Sequence, residues 1–387
     1  MAEATKMTQF PAPAKFKGRK VRTEEEEIKY YTATQFQLMW WKFRKHRLAL
    51  LGTTLLGLFF VIVLFCEFLA PLDPFTRNSS YIFGPPQKLR FVDEEGTFHL
   101  RPFVYGVTNQ LNPETFELEV TEDTSTMLPV RFFVKGDPYK FWGLFKTDIH
   151  LFGVEDGFLH LFGTDKLGRD LLSRILLGTR ISLSIGVIGQ LIAFFLGLGI
   201  GGVSGFFGGL VDDVIQRFIE FIRSIPTLPL WMALAAALPK EWPPMRVYFA
   251  ITLILGFLGW TNLARRIRGK LLSLREEDFV IAAKIAGSSD ARIIGRHMLP
   301  TFLSYIIVDI SISFPYMILG ETSLSFIGLG LRPPVVSWGV LLHEAQNIKA
   351  IAMHPWLFAP VVFVVLSVLA FSFVGDGMRD AADPYSK

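Results

Sequence analysis

The chain has 387 residues, 51% of them hydrophobic, with 37 phenylalanines and a mean hydropathy of +0.39. A soluble domain of this length buries far less apolar side chain, so the composition points to a multi-span membrane protein. The formal net charge of +4 is small and dispersed, which argues against nucleic acid as a partner, and the single cysteine, Cys66, allows no intrachain disulfide.

The first 47 residues carry charges, prolines and an acidic run at 24–27. This is unlike a secretory signal and reads as a partly disordered cytoplasmic tail. A spanning helix needs about 20 mostly apolar residues. The stretches 48–69, 181–207, 214–238, 247–263, 302–329 and 356–374 qualify, giving six spans. The third is the least pure, because it holds Arg217, Glu220, Arg223, Pro226 and Pro229. Basic residues gather before the first span (Lys42, Arg44, Lys45, Arg47) and between the fourth and fifth (among them Arg265, Arg266, Arg268 and Lys270). Cytoplasmic loops carry such an excess, so both termini, including the short tail 379–387, and the 265–300 loop are expected inside. Residues 70–180 then lie outside as an insert. Its segment "KLRFVDEEGTFHLRPFVYGV" reads as a hairpin around Glu95-Gly96, and "MLPVRFFVKGD" as a further strand, so a small β-rich subdomain is expected, with an irregular packed loop as the alternative.

The stretch "TDKLGRDLLSRIL" at 164–176 predicts an amphipathic helix capped by Thr164 or Asp165, lying on the outer membrane surface ahead of span two. Asp165, Arg169 and Asp170 are candidate contacts for an external partner; the competing reading is a structural leading helix pinned by an ion pair. Charges inside spans are costly and usually face protein or water. Glu220, Arg223, Asp309 and Glu321 are therefore candidates for the lining of a translocation path, or else for polar glue between helices. Glu220 and Arg223 are three apart and are expected to pair. Pro226, Pro229 and Pro315 are expected to kink spans three and five.

Between spans four and five, "SLREEDFVIAAKIAG" reads as an amphipathic helix with Glu276, Glu277 and Asp278 in its first turn, where they suit the helix dipole. Ala282 and Ala283 permit close approach by a neighbouring surface, and Gly287 suits the left-handed position after the helix. Ser288 and Ser289 can cap a second short helix containing Arg292, which stops at Pro300 near the start of span five. A basic linker lying on anionic lipid is the plainer alternative. "HEAQN" at 343–347 fails the His-Glu-x-x-His zinc pattern at Asn347, and no Gly-x4-Gly-Lys-Ser/Thr phosphate loop occurs, so neither a metalloprotease nor an ATPase is expected.

The spacing Ala282-Ala283-x3-Gly287 followed by Leu299-Pro300 resembles the cytoplasmic loop of ABC importer permeases, although Ile281 stands where that pattern has glutamate and His297 where it has isoleucine. "FGTDKLGRDLLSRILLGTRISLSIG" (162–186), "GETSLSFIGLGLRPPVVSWGVLL" (320–342) and "WWKFRKHRLALLG" are similar to stretches of the dipeptide/oligopeptide (peptide/opine/nickel) transport family, in its second-permease type. The insert is longer than that of most members. The resemblance implies an all-α type I permease of six transmembrane helices in a bacterial inner membrane, with residues 181–378 as the five-helix core. It implies a second homologous permease, two ATPase subunits that bind ATP and Mg, an extracytoplasmic substrate-binding protein, and no cofactor or catalysis in this chain. The 265–300 loop would dock on an ATPase. Cargoes of relatives include oligosaccharides, opines and nickel chelates as well as peptides. A secondary transporter, which would show internal repeats, and a membrane enzyme are the rivals from other classes.

Overall fold

The computed structural model describes residues 32–111, 118–346 and 352–382. The acidic run 24–27, Asn347 and residues 383–387 lie outside them. Among the described residues, five helices are long and apolar enough to span a bilayer, and a sixth span is formed if one sharply bent pair counts as a single crossing.

Among the described residues the first element is a short helix α1 (Gln35–Phe43), begun by a capping box in which Thr34 and Gln37 bond each other's backbone N–H. Its Phe43 packs with Ala49 and Ala381, so the N-terminal helix lies against the last one. α2 (Arg47–Leu69) is the first span: 23 residues at 1.5 Å each give about 34 Å, enough for a hydrocarbon core of about 30 Å. Phe65 departs from helical geometry (φ −118°, ψ 21°) near its far end.

The described residues of the insert form five strands. β1 (Arg90–Val92), β2 (Phe98–Leu111) and β3 (Leu118–Pro129) form an antiparallel sheet in that order; β4 (Arg131–Phe141) and β5 (Phe145–Gly153) form a separate hairpin. Gly96 takes φ +83° in the β1–β2 turn, as the sequence predicts. There His99 bonds Asp93 at 2.9 Å and, with the Thr97 amide, holds that carboxyl below its ordinary pKa.

α3 (Leu171–Phe207) corrects the expectation of a separate interfacial helix: it runs unbroken for 37 residues from the insert into the membrane. Asp170 caps it, accepting from the Ser173 N–H at 2.7 Å, while Asp165 closes the preceding turn through the Leu167 and Arg169 amides. From Gly168 to Ile175 both halves of the predicted amphipathic pattern are buried, because the insert and a later helix cover what bare lipid and water would otherwise meet, whereas Lys166 is exposed.

α4 (Gly209–Ser224) and α5 (Thr227–Ala236) replace the predicted third span and meet at 83°. Pro226 disfavours helix at the residue before it, and Ile225 is extended there (φ −94°, ψ 130°). α6 (Pro244–Leu274) packs closely along α3. A β-carbon on Gly201 would lie 2.6 Å from the Ala264 carbonyl oxygen and one on Gly205 2.8 Å from that of Arg268, so only glycine allows this approach.

After α6 comes α7 (Asp278–Ile285). A helical turn at Asp290–Arg292, a widened turn at Ile293–Met298 and a tightened one at Leu299–Phe302 then lead without a break into α8 (Leu303–Phe326). The second short helix therefore does not stop at Pro300; it continues as span five. Pro315 sits inside α8, which runs on through it as one helix. α9 (Trp338–Glu344) dips back against α3, with the Trp338 amide on Ser182 Oγ at 3.1 Å and its indole on Thr179 Oγ1 at 3.2 Å. Hence His343 and Glu344 of "HEAQ" lie in the last turn of a helix. α10 (Ala359–Ala382) completes the bundle.

Candidate coupling bracket and polar sites

The 265–300 segment folds as a bracket. α7 ends in a double-bonded C-terminal turn: the Gly287 N–H bonds the Lys284 carbonyl and the Ser288 N–H bonds that of Ala283, each at 3.0 Å. Gly287 takes φ +76°, which a residue with a β-carbon adopts only with strain. Glu277 and Ser289 occupy the two N-cap positions, but neither side chain bonds the helix it precedes.

The faces of α7 separate cleanly. Val280 is fully buried and Ala283 partly, in a cluster with Phe206, Leu263, Ile267, Leu271, Ile293 and Met298. This ties the bracket to the ends of α3 and α6 and to the start of span five. Lys284 lies on the same side, its ammonium 5.0 Å from the Phe206 ring. The opposite side presents Asp278, Ile281, Ala282 and Ile285, the last 83% exposed. The two alanines thus do different things: Ala283 packs inward and Ala282 faces out. Glu276, Glu277, Arg292 and Pro300 are also exposed. Ile281 and Ile285 thus form an exposed apolar pair on a firmly anchored helix.

The intramembrane charges do not form one site. Glu220 pairs with Arg217 at 3.1 Å and with Arg265 at 3.8 Å, correcting the expected Glu220–Arg223 pair; Arg223 instead donates to Asn262 Oδ1 at 2.6 Å. Glu220, Arg217, Asp213, Gln216, Arg265 and Arg268 line a polar groove of about 350 Å³. Asp309 is buried and paired with Arg266. Glu321 is fully buried, accepting from Ser182 Oγ at 3.0 Å and Ser325 Oγ at 2.8 Å, and so links α3 to α8. Sequence reasoning passed over Asp212, which Arg268 and Ser204 hold between α3, α4 and α6; only the i+8 spacing from Ser204 hints at it.

Asp165, Arg169 and Asp170 are all buried. Arg169 meets Asp165 at 2.7 Å and Glu344 at 3.1 Å, while Arg174 meets the same two carboxylates at 2.9 and 3.2 Å. Asp170 holds His160 at 3.0 Å. Two arginines and two carboxylates cancel, which is what lets the cluster sit away from water. Two of its four members, Arg174 and Glu344, are missing from the sequence-derived site. The described residues contain no group of three His, Cys, Asp or Glu side chains placed to hold a metal.

Comparison with known proteins accounts for this architecture. Residues 197–386 match the family described as "binding-protein-dependent transport system inner membrane component", and residues 34–86 match the "N-terminal TM domain of oligopeptide transport permease C". The dipeptide transport system permease DppC of Lactococcus lactis is 33% identical over 95% of this chain and 95% of its own length. The oligopeptide permease OppC of Escherichia coli is 40% identical over 58% of this chain and 72% of its own. A solved inward-facing structure of the MetNI methionine ABC transporter aligns over 54% of this chain and 96% of that one, at 18% identity and a TM-score of 0.43. With the bent pair, the bracket and both family segments in place, the chain belongs to the dipeptide/oligopeptide permease family, as a multi-pass inner-membrane permease component of a binding-protein-dependent ABC importer.

Proposed function

We propose that this permease carries peptides inward, that its bracket and both termini are cytoplasmic, and that α7 is the element through which ATP hydrolysis on a partner moves the spans. The observation that carries the coupling role is the division of α7 into an anchored face (Val280, Ala283) and a bare one (Ile281, Ala282, Ile285). A push on the bare face is transmitted through the packed cluster to α3, α6 and α8 together, because close-packed interiors move as units. The assembly would comprise a second homologous permease, two ATPase subunits that bind ATP and Mg, and an extracytoplasmic binding protein. Ile281 replaces the motif's glutamate, so any charged contact to the ATPase falls to Glu276, Glu277, Asp278 or Arg292.

Within the proposed path, Glu220 and Arg223 belong to the polar, partly exposed side of α4, where a peptide's backbone and termini could pass without tight binding. Asp309 and Glu321 act as glue between helices, since both are buried and already bonded. Asp165, Arg169 and Asp170 shape the external face from beneath it and do not themselves meet a binding protein. The peptide assignment is supported by what the relatives are named for, dipeptide and oligopeptide transport. Uptake of labelled oligopeptides into proteoliposomes containing the whole importer tests it. ATP-dependent accumulation, competed by unlabelled peptide and insensitive to ion gradients, is expected. Accumulation driven by an ion gradient without ATP, or competed by oligosaccharide and indifferent to peptide, would overturn it.

A further inference from the structure

The β4–β5 hairpin ends in an apolar tip, "FWGLF" at 141–145, that the described protein leaves bare. Leu144 is 76% exposed and Phe145 70%, with Trp142 also exposed. The tip is held at a definite height beside the first span. The Trp142 indole donates to the Leu64 carbonyl at 2.9 Å, and the ring stacks under the Arg180 guanidinium at 4.6 Å. The Phe141 ring lies 5.8 Å from that of Phe65. Arg180 also takes the Val63 carbonyl at 2.8 Å and pairs with Glu67. Phe65, next to these carbonyls, departs from helical φ/ψ. Leu64 precedes the end of α2 by five residues, about 7–8 Å along the axis. The tip therefore sits below the end of a membrane-spanning helix, beside Leu64 and Phe65, which are themselves exposed.

Two further features fit the same occupant. Lys140 and Lys146 are exposed and face each other across the hairpin, immediately behind the aromatic pair Phe141 and Phe145. Like charges directly opposite weaken a hairpin on its own, a cost that phosphate groups would offset. Trp142 takes φ +52°, a left-handed conformation unusual for a bulky residue, and the conformation is what points its indole at the helix. An aromatic tip behind a lysine collar, at the depth of a span's last turns, is the pattern of an interfacial anchor.

We propose that residues 141–145 insert into the lipid leaflet on the insert's side, with Lys140 and Lys146 on lipid phosphates. The insert is then fastened to the bilayer as well as to α2 and α3. Its two-point attachment keeps its height constant while the core helices move.

The test uses the full chain in its purified assembly, in nanodiscs of phosphatidylcholine and phosphatidylglycerol. Cys66 is replaced by alanine, and a single environment-sensitive nitrobenzoxadiazole label is placed at Leu144→Cys, at Phe145→Cys, or at Glu95→Cys in the acidic β1–β2 turn. At 144 and 145 the emission should shift to the blue, be quenched by lipids spin-labelled near the top of the acyl chain, and resist aqueous iodide several-fold more than at 95. The variant K140E/K146E should reverse much of the lipid quenching. Iodide quenching at 144 and 145 equal to that at 95 would overturn the proposal. Protection from both quenchers would also overturn it, since a protein partner would then cover the tip. Two label positions guard against one substitution disturbing the turn.

Discussion

Replacing Arg174 with glutamine removes one of two cations from a cluster that holds two carboxylates. Arg174 is 1% exposed at its side chain and contacts Asp165 and Glu344 at 2.9 and 3.2 Å. Arg169 remains, so the variant leaves one net negative charge in a place with little access to water. Breaking a buried ion pair from one side costs about 3–5 kcal/mol. With an unfolding entropy of about 2.1 cal/mol/K per residue, a chain of 387 residues shifts by about 1.2 °C per kcal/mol, so the unfolding midpoint should fall by about 4–6 °C. Thermal unfolding of the purified complex in detergent, followed by tryptophan fluorescence at one scan rate, measures it. The double variant Arg174→Gln/Glu344→Gln restores neutrality and should lose clearly less than the two single losses combined, with a coupling of about 2 kcal/mol. A midpoint unchanged by Arg174→Gln, or strictly additive losses, would refute the reasoning that this cluster clamps the insert's return segment to α9.

Other substitutions probe separate parts of the fold. Gly201→Leu should abolish normal α3–α6 packing, visible as loss of folded protein on size-exclusion chromatography, because even a β-carbon there meets the Ala264 carbonyl. Gly287→Ala has open space around it, so it should cost only the conformational strain of φ +76°, about 1 kcal/mol, read as a small midpoint shift with assembly retained. Glu321→Gln can keep bonds to Ser182 and Ser325 and should cost about 1 kcal/mol or less, whereas Glu321→Ala leaves both hydroxyls and a cavity and should cost on the order of 2–4 kcal/mol. Equally large losses in both variants would mean that the carboxyl group itself, and not hydroxyl bonding and packing, is what the site requires.

The legible parts of this protein were those fixed by local physics. Runs such as 48–69 and 356–374 are long enough to cross a bilayer whatever they pack against, and Gly287 and Gly96 announced their turns through a conformation other residues avoid. The errors arose where a distant segment decided. Glu220 has an arginine three residues away on each side, and Asn262 on α6 takes Arg223 out of contention. The stretch 164–176 reads as amphipathic, but Glu344, 175 residues from Arg169, gives its polar half a buried partner that no local pattern reveals. Pro226 foretold a bend in span three, but its 83° size depends on the packing of α4 and α5. Within the bracket, the adjacent alanines were visible as a pair; that Ala283 packs inward and Ala282 outward follows only from the orientation of α7 on its cluster.

The central claim is that the bare face of α7 is the contact for the energy-supplying subunit. The most direct measurement places a cysteine at Ile285 in the Cys66→Ala background and treats the assembled importer with a short bifunctional crosslinker before and after ATP. The account predicts a crosslink from residue 285 to an ATPase subunit, and loss of ATP-driven uptake once it forms. No ATPase adduct at 285, together with uptake unaffected by Ile285→Glu, would contradict it.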